Sequence, residues 1–519
     1  GSPAERLLRE LGPLVAACVW ILDCGAAEDI SGSGLAKVEE EAPGEDEGLS
    51  TAGGHIVPRG RGEDSRMDAD LAIFKLQQQT VRVVHLPVLT HRLHQRAPDE
   101  PEAAAAAARD KVVSRALRSD KTMATTLIGA HGLEHIYAHS FPVLVTAIYN
   151  SLGLNPLQFG VMLAVRQLSG GLTSVGSGFF VDIFRYRSGQ VLGISMGLIG
   201  LGYLLVAIAP TYAFIIVALV VASAGSALWH PPALGLLARR FPARRGYYIS
   251  MHRSLGNAGD LAGPLIAGGL LGLVSWRWIM GGGTPVLMLL GVIVLILLWN
   301  VGGPKPGPIA LADNLKSQLA NLRESFRGTG MWPIFTVSAV RGMGDRSYIA
   351  FLPIYLQEQL SMGPGWIGIY VALVAGPGIL SGPLFGILSD RIGRKSIIAF
   401  CMLAAVVLSV TTLLSGSSIT LSLLSVTLFG VFHSSVNSLT QAAAIDVAEG
   451  RGLDATFMGL MWGSNAAFSS AAFVIVGLVI KLTNDNWGIA FYTAAALFFA
   501  GFLATLLMPN SKSTNAQPT

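Results

Sequence analysis

Twelve apolar runs dominate residues 122–519, and a helix needs about 20 apolar residues to cross the hydrocarbon core of a bilayer. They lie near 123–149, 157–180, 190–209, 212–237, 247–273, 279–301, 331–356, 365–388, 396–414, 419–445, 455–480 and 487–508. Inside lipid every backbone polar group has to be satisfied within the segment, which leaves helices for runs of this length. The sequence therefore predicts an all-α membrane protein with twelve transmembrane helices. The longest gap, 302–330, follows the sixth run and holds Pro304, Pro306 and Pro308, so it reads as a cytoplasmic linker between six-helix bundles at 122–301 and 331–508. A short tail, 509–519, follows the last run.

Charge divides the chain. Residues 1–121 hold 15 Lys and Arg and 20 Asp and Glu, whereas the 398 residues that follow hold 21 and 12. Charge density thus falls from about 29% to about 8%, against roughly 25% in ordinary soluble domains. The first segment has an acidic stretch from Glu39 to Glu47, paired glycines and an alanine run, Ala103–Ala108. Such a composition buries too little apolar surface to offset chain entropy, so residues 1–121 read as a largely disordered N-terminal extension. Its apolar stretch Leu11–Leu22 is too short to span a bilayer. The chain begins with Gly, which reads as a fragment, a processed form or a tagged form, with Met67 and Met123 as alternative starts.

Basic residues give an orientation. One set of loops holds 14 Lys and Arg, among them Arg185, Arg187, Arg239, Arg240, Arg244 and Arg245; the alternate set holds only Arg277 and Lys481. The bias places both termini in the cytoplasm of a plasma (inner) membrane protein. The net charge of +4 sits in short loops between apolar runs, which argues against nucleic-acid binding. Cys18, Cys24 and Cys401 give neither a disulfide framework nor metal-ligand spacing.

The two halves repeat. Asp182 closes the second run in Gly178-Phe-Phe-Val-Asp182, and Asp390 closes the eighth in Gly386-Ile-Leu-Ser-Asp390-Arg391-Ile-Gly393-Arg394-Lys395, 208 positions later. Internal repeats of this kind place a substrate site near the bilayer midplane, between the halves. The Gly386–Lys395 string resembles the loop motif G-x-x-x-D-R-x-G-R-K of the major facilitator superfamily. Gly259, Gly263, Pro264 and Gly268 in the fifth run resemble that superfamily's antiporter-associated motif, with Ala267 in place of one glycine. The resemblance covers about residues 123–508 and implies two pseudo-symmetric six-helix bundles, with Asp182, Gly386, Asp390, Arg391, Gly393, Arg394 and Lys395 in conformational gating. Gly259, Gly263 and Gly268 allow close helix packing. A narrower resemblance, to fosmidomycin-resistance-type exporters, rests on His131 to Pro142, on Ala224–Pro231 and on Arg341 with Phe351 to Tyr355. Where that pattern has Asn-Asp, this chain has Glu134-His135.

Ionisable residues within the runs are costly and usually face a partner or a cavity. His131, Glu134 and His135 stand at i, i+3 and i+4, on one helical face. With Asp260 and His230 they are the candidates for proton coupling, set against a satisfied packing network. Arg166, Arg341, Asp345, His433 and Asn437 are the substrate-cavity candidates, set against an internal Arg341–Asp345 ion pair at i, i+4. His131–His135 also spells H-x-x-E-H, an inverted zinc-protease string. The sequence shows no obvious third ligand, so no metal or cofactor is expected; a metal-ion carrier built on the six histidines of the runs is a minor alternative.

The chain lacks a P-loop of the form G-x-x-x-x-G-K-[ST], so an ion gradient and not ATP is the expected energy source. The expectation is a monomeric secondary transporter and not an enzyme. It would perform proton-coupled efflux of a small drug-like or metabolite molecule, with the lipid bilayer as its surroundings. Uptake of an organic anion and a non-transporting sensor or assembly protein are the alternatives.

Overall fold

The computed structural model describes residues 120–302, 331–416, 418–448 and 454–508. The N-terminal extension up to 119, residues 303–330 of the linker, Arg451, the tail 509–519 and the side chain of Asp182 lie outside the described residues.

Among the described residues, twelve helical rods occupy the twelve apolar runs. They are α1 (Asp120–Ser151), α2 (Pro156–Ile183), α3 (Ser188–Ile208), α4 (Tyr212–Arg240), α5 (Arg245–Leu271) and α6 (Trp276–Gly282 and Thr284–Leu298). The second half has α7 (Met331–Ile349 and Leu352–Glu358), α8 (Pro364–Ala375 and Gly378–Ile392), α9 (Arg394–Leu414), α10 (Ile419–Ala448), α11 (Asp454–Leu482) and α12 (Ile489–Leu506). Three rods break where the sequence weakens the helix: α6 at Gly283 before Pro285, α7 just before Pro353, and α8 around Gly376-Pro377. Among the described residues, eight rods are long and apolar enough, by length and composition alone, to cross a membrane. The other four, α1, α2, α5 and α7, carry Glu134, Arg166, Asp260 and Arg341 respectively. Polar residues that face protein lower a span's hydropathy without changing its length.

Packing sorts the rods into two bundles. In the first, α1 packs on α5, α3 on α4 and α6, and α2 on α4; in the second, α7 packs on α11 and α12, α9 on α10 and α12, and α8 on α10. The bundles meet along α2–α11 and α5–α8. Both seams rest on glycines. A Cβ at Gly160 would strike the Phe473 carbonyl and come 3.4 Å from the Gly477 Cα; one at Gly268 would lie 2.6 Å from the Pro364 carbonyl and 3.0 Å from the Gly368 Cα. Pro156 and Gly160 recur as Pro364 and Gly368, again 208 positions on, so the repeat extends to the contacts that join the halves.

Five aromatic rings close the same end. Tyr149 and Phe159 from the first bundle meet Phe351, Phe473 and Trp487 from the second, with ring centroids 5.5–6.4 Å apart. Phe159 and Phe351 are fully buried. The seal lies at the ends joined by the α1–α2 and α11–α12 turns, opposite the basic loops.

The loop motif is a tight corner between α8 and α9. Gly393 has φ +96°, a conformation that strains any residue with a Cβ. At the equivalent place 208 positions earlier stands Arg185, and there the chain turns instead through a 3-10 segment, Arg185–Arg187.

Candidate functional site

Each bundle ties its first helix to its fourth with polar groups. In the second bundle Arg341 donates to Asp345 one turn along α7, and its other guanidinium nitrogen donates to the Asn437 Oδ1 on α10 at 3.1 Å. His433 Nδ1 lies 2.6 Å from the Asp345 Oδ1. Arg341 and Asp345 are both buried, so each neutralises the other where water cannot. Four of the cavity candidates, Arg341, Asp345, His433 and Asn437, are thus one connected network, and the Arg341 charge is already answered. Arg166 stands apart on α2. Its guanidinium caps the Phe141 ring at 4.7 Å and donates to the Ala138 carbonyl at 3.3 Å. Arg346, half-buried on α7, feels the charges of Arg166, Arg341 and Asp345. Among the described residues neither Arg166 nor Arg346 has a carboxylate within ion-pair distance.

The first bundle gathers imidazoles. His131, His135 and His139 rise along α1 at i, i+4 and i+8, facing His230 on α4 and His252 on α5. His131 stacks on His252 with centroids 3.7 Å apart and meets the His135 and His230 rings edge-on at 4.2 and 5.2 Å. Two carboxylates belong to the group. Ser226 on α4 donates to the Glu134 Oε1 at 2.6 Å, while the Glu134 Oε2 lies 3.5 Å from the His135 Nε2. Asp260 on α5 lies 2.5 Å from the His135 Nδ1 and 3.0 Å from the His139 Nε2. All five proton-coupling candidates, His131, Glu134, His135, His230 and Asp260, therefore share one cluster.

The glycines of α5 make this cluster possible. A Cβ at Gly256 would lie 2.6 Å from the His131 Nε2, and one at Gly259 would lie 2.5 Å from the Gly132 carbonyl. Gly263 approaches the Ile136 carbonyl, and the Ser140 hydroxyl donates to the Gly263 carbonyl at 3.0 Å. Of the packing motif, Gly259 and Gly263 seat α1 while Gly268, with the Pro264 carbonyl, seats α8. One motif thus links the histidine cluster to the seam between the bundles.

At the loop motif, Asp390 pairs with Arg394 at 3.2 Å, four residues on, and not with its neighbour Arg391. Arg394 also grips Asp446 near the end of α10 through Nε and a second nitrogen. Lys395 donates to the Leu506 and Met508 carbonyls at 2.7 and 2.9 Å, which caps the end of α12.

The sequence pointed to His252 only as one of the six histidines of the runs, not as part of the proton-coupling group, and to Ser226 and Asp446 not at all. His252 stands four and seven positions before Gly256 and Gly259, on the face that packs against α1; that spacing was the available signal. Ser226 and Asp446 carried none, because a lone serine or aspartate in a helix has no motif around it.

A twelve-rod membrane fold in two bundles, with interior polar networks on the first and fourth helix of each, defines a secondary transporter. The Major Facilitator Superfamily matches the chain over residues 135–470 and 334–519, and the chain belongs to that family. It is 23% identical over 406 residues to the fosmidomycin resistance protein of Escherichia coli (strain K12), covering 74% of this chain and 93% of that one. A putative metabolite transport protein of Haemophilus influenzae (strain ATCC 51907 / DSM 11121 / KW20 / Rd) is 23% identical over 387 residues, or 71% of this chain and 91% of that one. Among solved structures, a bacterial homolog of the human lysosomal transporter Spinster, in an inward-facing and unoccupied conformation, superposes with TM-score 0.59. It shares 14% identity and covers 76% of this chain and 98% of that one.

Proposed function

We propose that the chain is a proton-coupled exporter of a small drug-like or metabolite molecule, working by alternating access in the plasma (inner) membrane with both termini in the cytoplasm. The observation that carries this reading is the seal at one end: Gly160–Gly477, Gly268–Gly368 and the five aromatic rings close the molecule opposite the basic loops. With basic loops inside, that is an inward-facing state. The Asp390–Arg394–Asp446 cluster sits at the other end, within the second bundle, at the corner that Gly393 makes, and belongs to the gating machinery. The domain limits follow: bundles at 122–301 and 331–508 rock about the seams, joined by the linker at 302–330.

Protons load on the carboxylate–imidazole cluster of α1, α4 and α5. Its carboxylates already hold the two imidazole partners, His135 and His139, that a proton would exchange with. Substrate lies between this cluster and the Arg341–Asp345–His433–Asn437 network.

One observation favours an acidic group on the substrate. Arg166 and Arg346 lack a carboxylate partner among the described residues, and an unanswered cation in a low-dielectric cavity attracts an anion. Uptake of an organic anion remains the second reading, and the two directions differ in sign. For export, cells producing the protein should hold less of a test compound than cells without it, and collapsing the pH gradient should abolish the difference. Higher accumulation in producing cells would establish uptake instead.

A further inference from the structure

The histidine cluster has more Lewis-base donors than a proton relay needs, and its spare donors converge. We infer that His131, Glu134, His135 and His230 bind one divalent transition-metal cation of the zinc class inside the first bundle. Their four donor atoms lie within 4.8 Å of one another. A tetrahedral ion with bonds of about 2.0–2.2 Å holds its ligands roughly 3.4 Å apart, so small side-chain movements close the shell.

Three observations support a built site. The first is the state of the donors. The His131 Nδ1, the Glu134 Oε2 and the His230 Nδ1 are buried without a hydrogen-bond partner among the described residues. Buried polar atoms are almost always satisfied, so an unsatisfied group calls for an occupant. His131 is 5% exposed and Glu134 is 2% exposed.

The second is the orientation of the ligands. The His135 Nδ1 is committed to Asp260, which leaves its Nε2 directed at Glu134. A carboxylate on the far nitrogen of a ligating imidazole is the usual outer shell of a protein metal site. In the same way Ser226 occupies the Glu134 Oε1 and leaves the Oε2 without a hydrogen bond, facing the His131 Nδ1 and the His135 Nε2.

The third is charge and access. Glu134 and Asp260 together balance a divalent cation, which a membrane interior requires. His139, on the far side of Asp260, has a 42% exposed side chain. The cluster is therefore open to solvent through His139 and Asp260, whose side chains are 42% and 20% exposed. A donor set of three imidazoles and one carboxylate selects zinc, cobalt or nickel over magnesium and calcium, which prefer oxygen.

This inference goes beyond the proposed function, and its test needs no gradient or substrate. The full chain, free of any polyhistidine tag, is purified in detergent and titrated with Co2+ and then Zn2+. One equivalent of Co2+ should bind with the visible absorption of a low-coordinate cobalt–imidazole centre, and Zn2+ should displace it while Mg2+ and Ca2+ do not. Glu134→Gln and His230→Gln should each weaken binding at least about tenfold, and Asp260→Asn about 10- to 100-fold through the outer shell. His433→Ala, and the variant with His55, His85, His91 and His94 all changed to Ala, should bind as the parent does. Each variant is compared only if its thermal unfolding stays cooperative; the near-isosteric Glu134→Gln and Asp260→Asn keep the test usable if His230→Gln does not fold. Absence of Co2+ and Zn2+ binding, or binding that survives the folded cluster variants, would overturn the assignment.

Discussion

Replacing Gly160 with leucine should abolish transport while leaving the protein folded. The glycine lies on the α2–α11 seam, where even a methyl group would meet the Phe473 carbonyl and approach the Gly477 Cα at 3.4 Å. A backbone cannot rotate out of the way as a side chain can. The penalty falls on the sealed state alone, because the seam separates when the bundles rock to the opposite state. Overpacking of about 3 kcal/mol would lower the sealed population by about two orders of magnitude. Gly160→Ala should give an intermediate defect. Gly170→Ala, on the same helix but with its nearest neighbour at 3.9 Å, should be close to neutral. Flux in reconstituted vesicles, with thermal unfolding as the control for folding, measures all three. Normal flux in Gly160→Leu would show that the seam does not need to close.

Arg341→Ala should be the most destabilising single substitution in the second bundle. It leaves the Asp345 carboxylate buried, facing only His433, and takes a donor from Asn437. Removing one partner of a buried ion pair costs roughly 3–5 kcal/mol, most of it the stranded charge. The double variant Arg341→Ala with Asp345→Ala removes both charges and should recover much of that loss. Denaturant unfolding in detergent of the parent, the single and the double variants gives the coupling directly. Equal losses in the single and double variants would mean that the pair is not what Arg341 contributes. Transport should not return in the double variant if Asp345 and His433 also contact substrate.

Much of this was legible in the sequence. Run length gave the twelve helices with ends within a few residues, because a span's length is fixed by the bilayer and not by tertiary contacts. The 208-residue repeat at Asp182 and Asp390 announced two related halves, whereas the corner that Gly393 makes with φ +96° was visible only in the structure. Helical spacing put His131, Glu134 and His135 on one face, where the structure has them. Partners from distant segments were not legible. Nothing local to α1 says that Asp260, more than a hundred residues on, bonds to the His135 Nδ1, or that Ser226 takes one oxygen of Glu134. The Gly160–Gly477 crossing joins segments over three hundred residues apart, and single glycines in apolar runs are too common to stand out. The Asp390–Arg394 pair was not legible either, because it forms across the corner at Gly393, where the backbone turn brings the end of α8 against the start of α9.

A pH gradient should drive solute movement through the α1–α4–α5 cluster. Proteoliposomes containing wild type and Glu134→Gln, given an imposed pH gradient and a panel of organic anions and amphiphilic compounds, test it most directly. Glutamine preserves the size of Glu134 and an oxygen for Ser226, so loss of the carboxylate is the main change. Gradient-driven flux should appear in wild type and vanish in the folded Glu134→Gln protein. Gradient-driven flux of equal size in both would contradict it and remove Glu134 from the coupling.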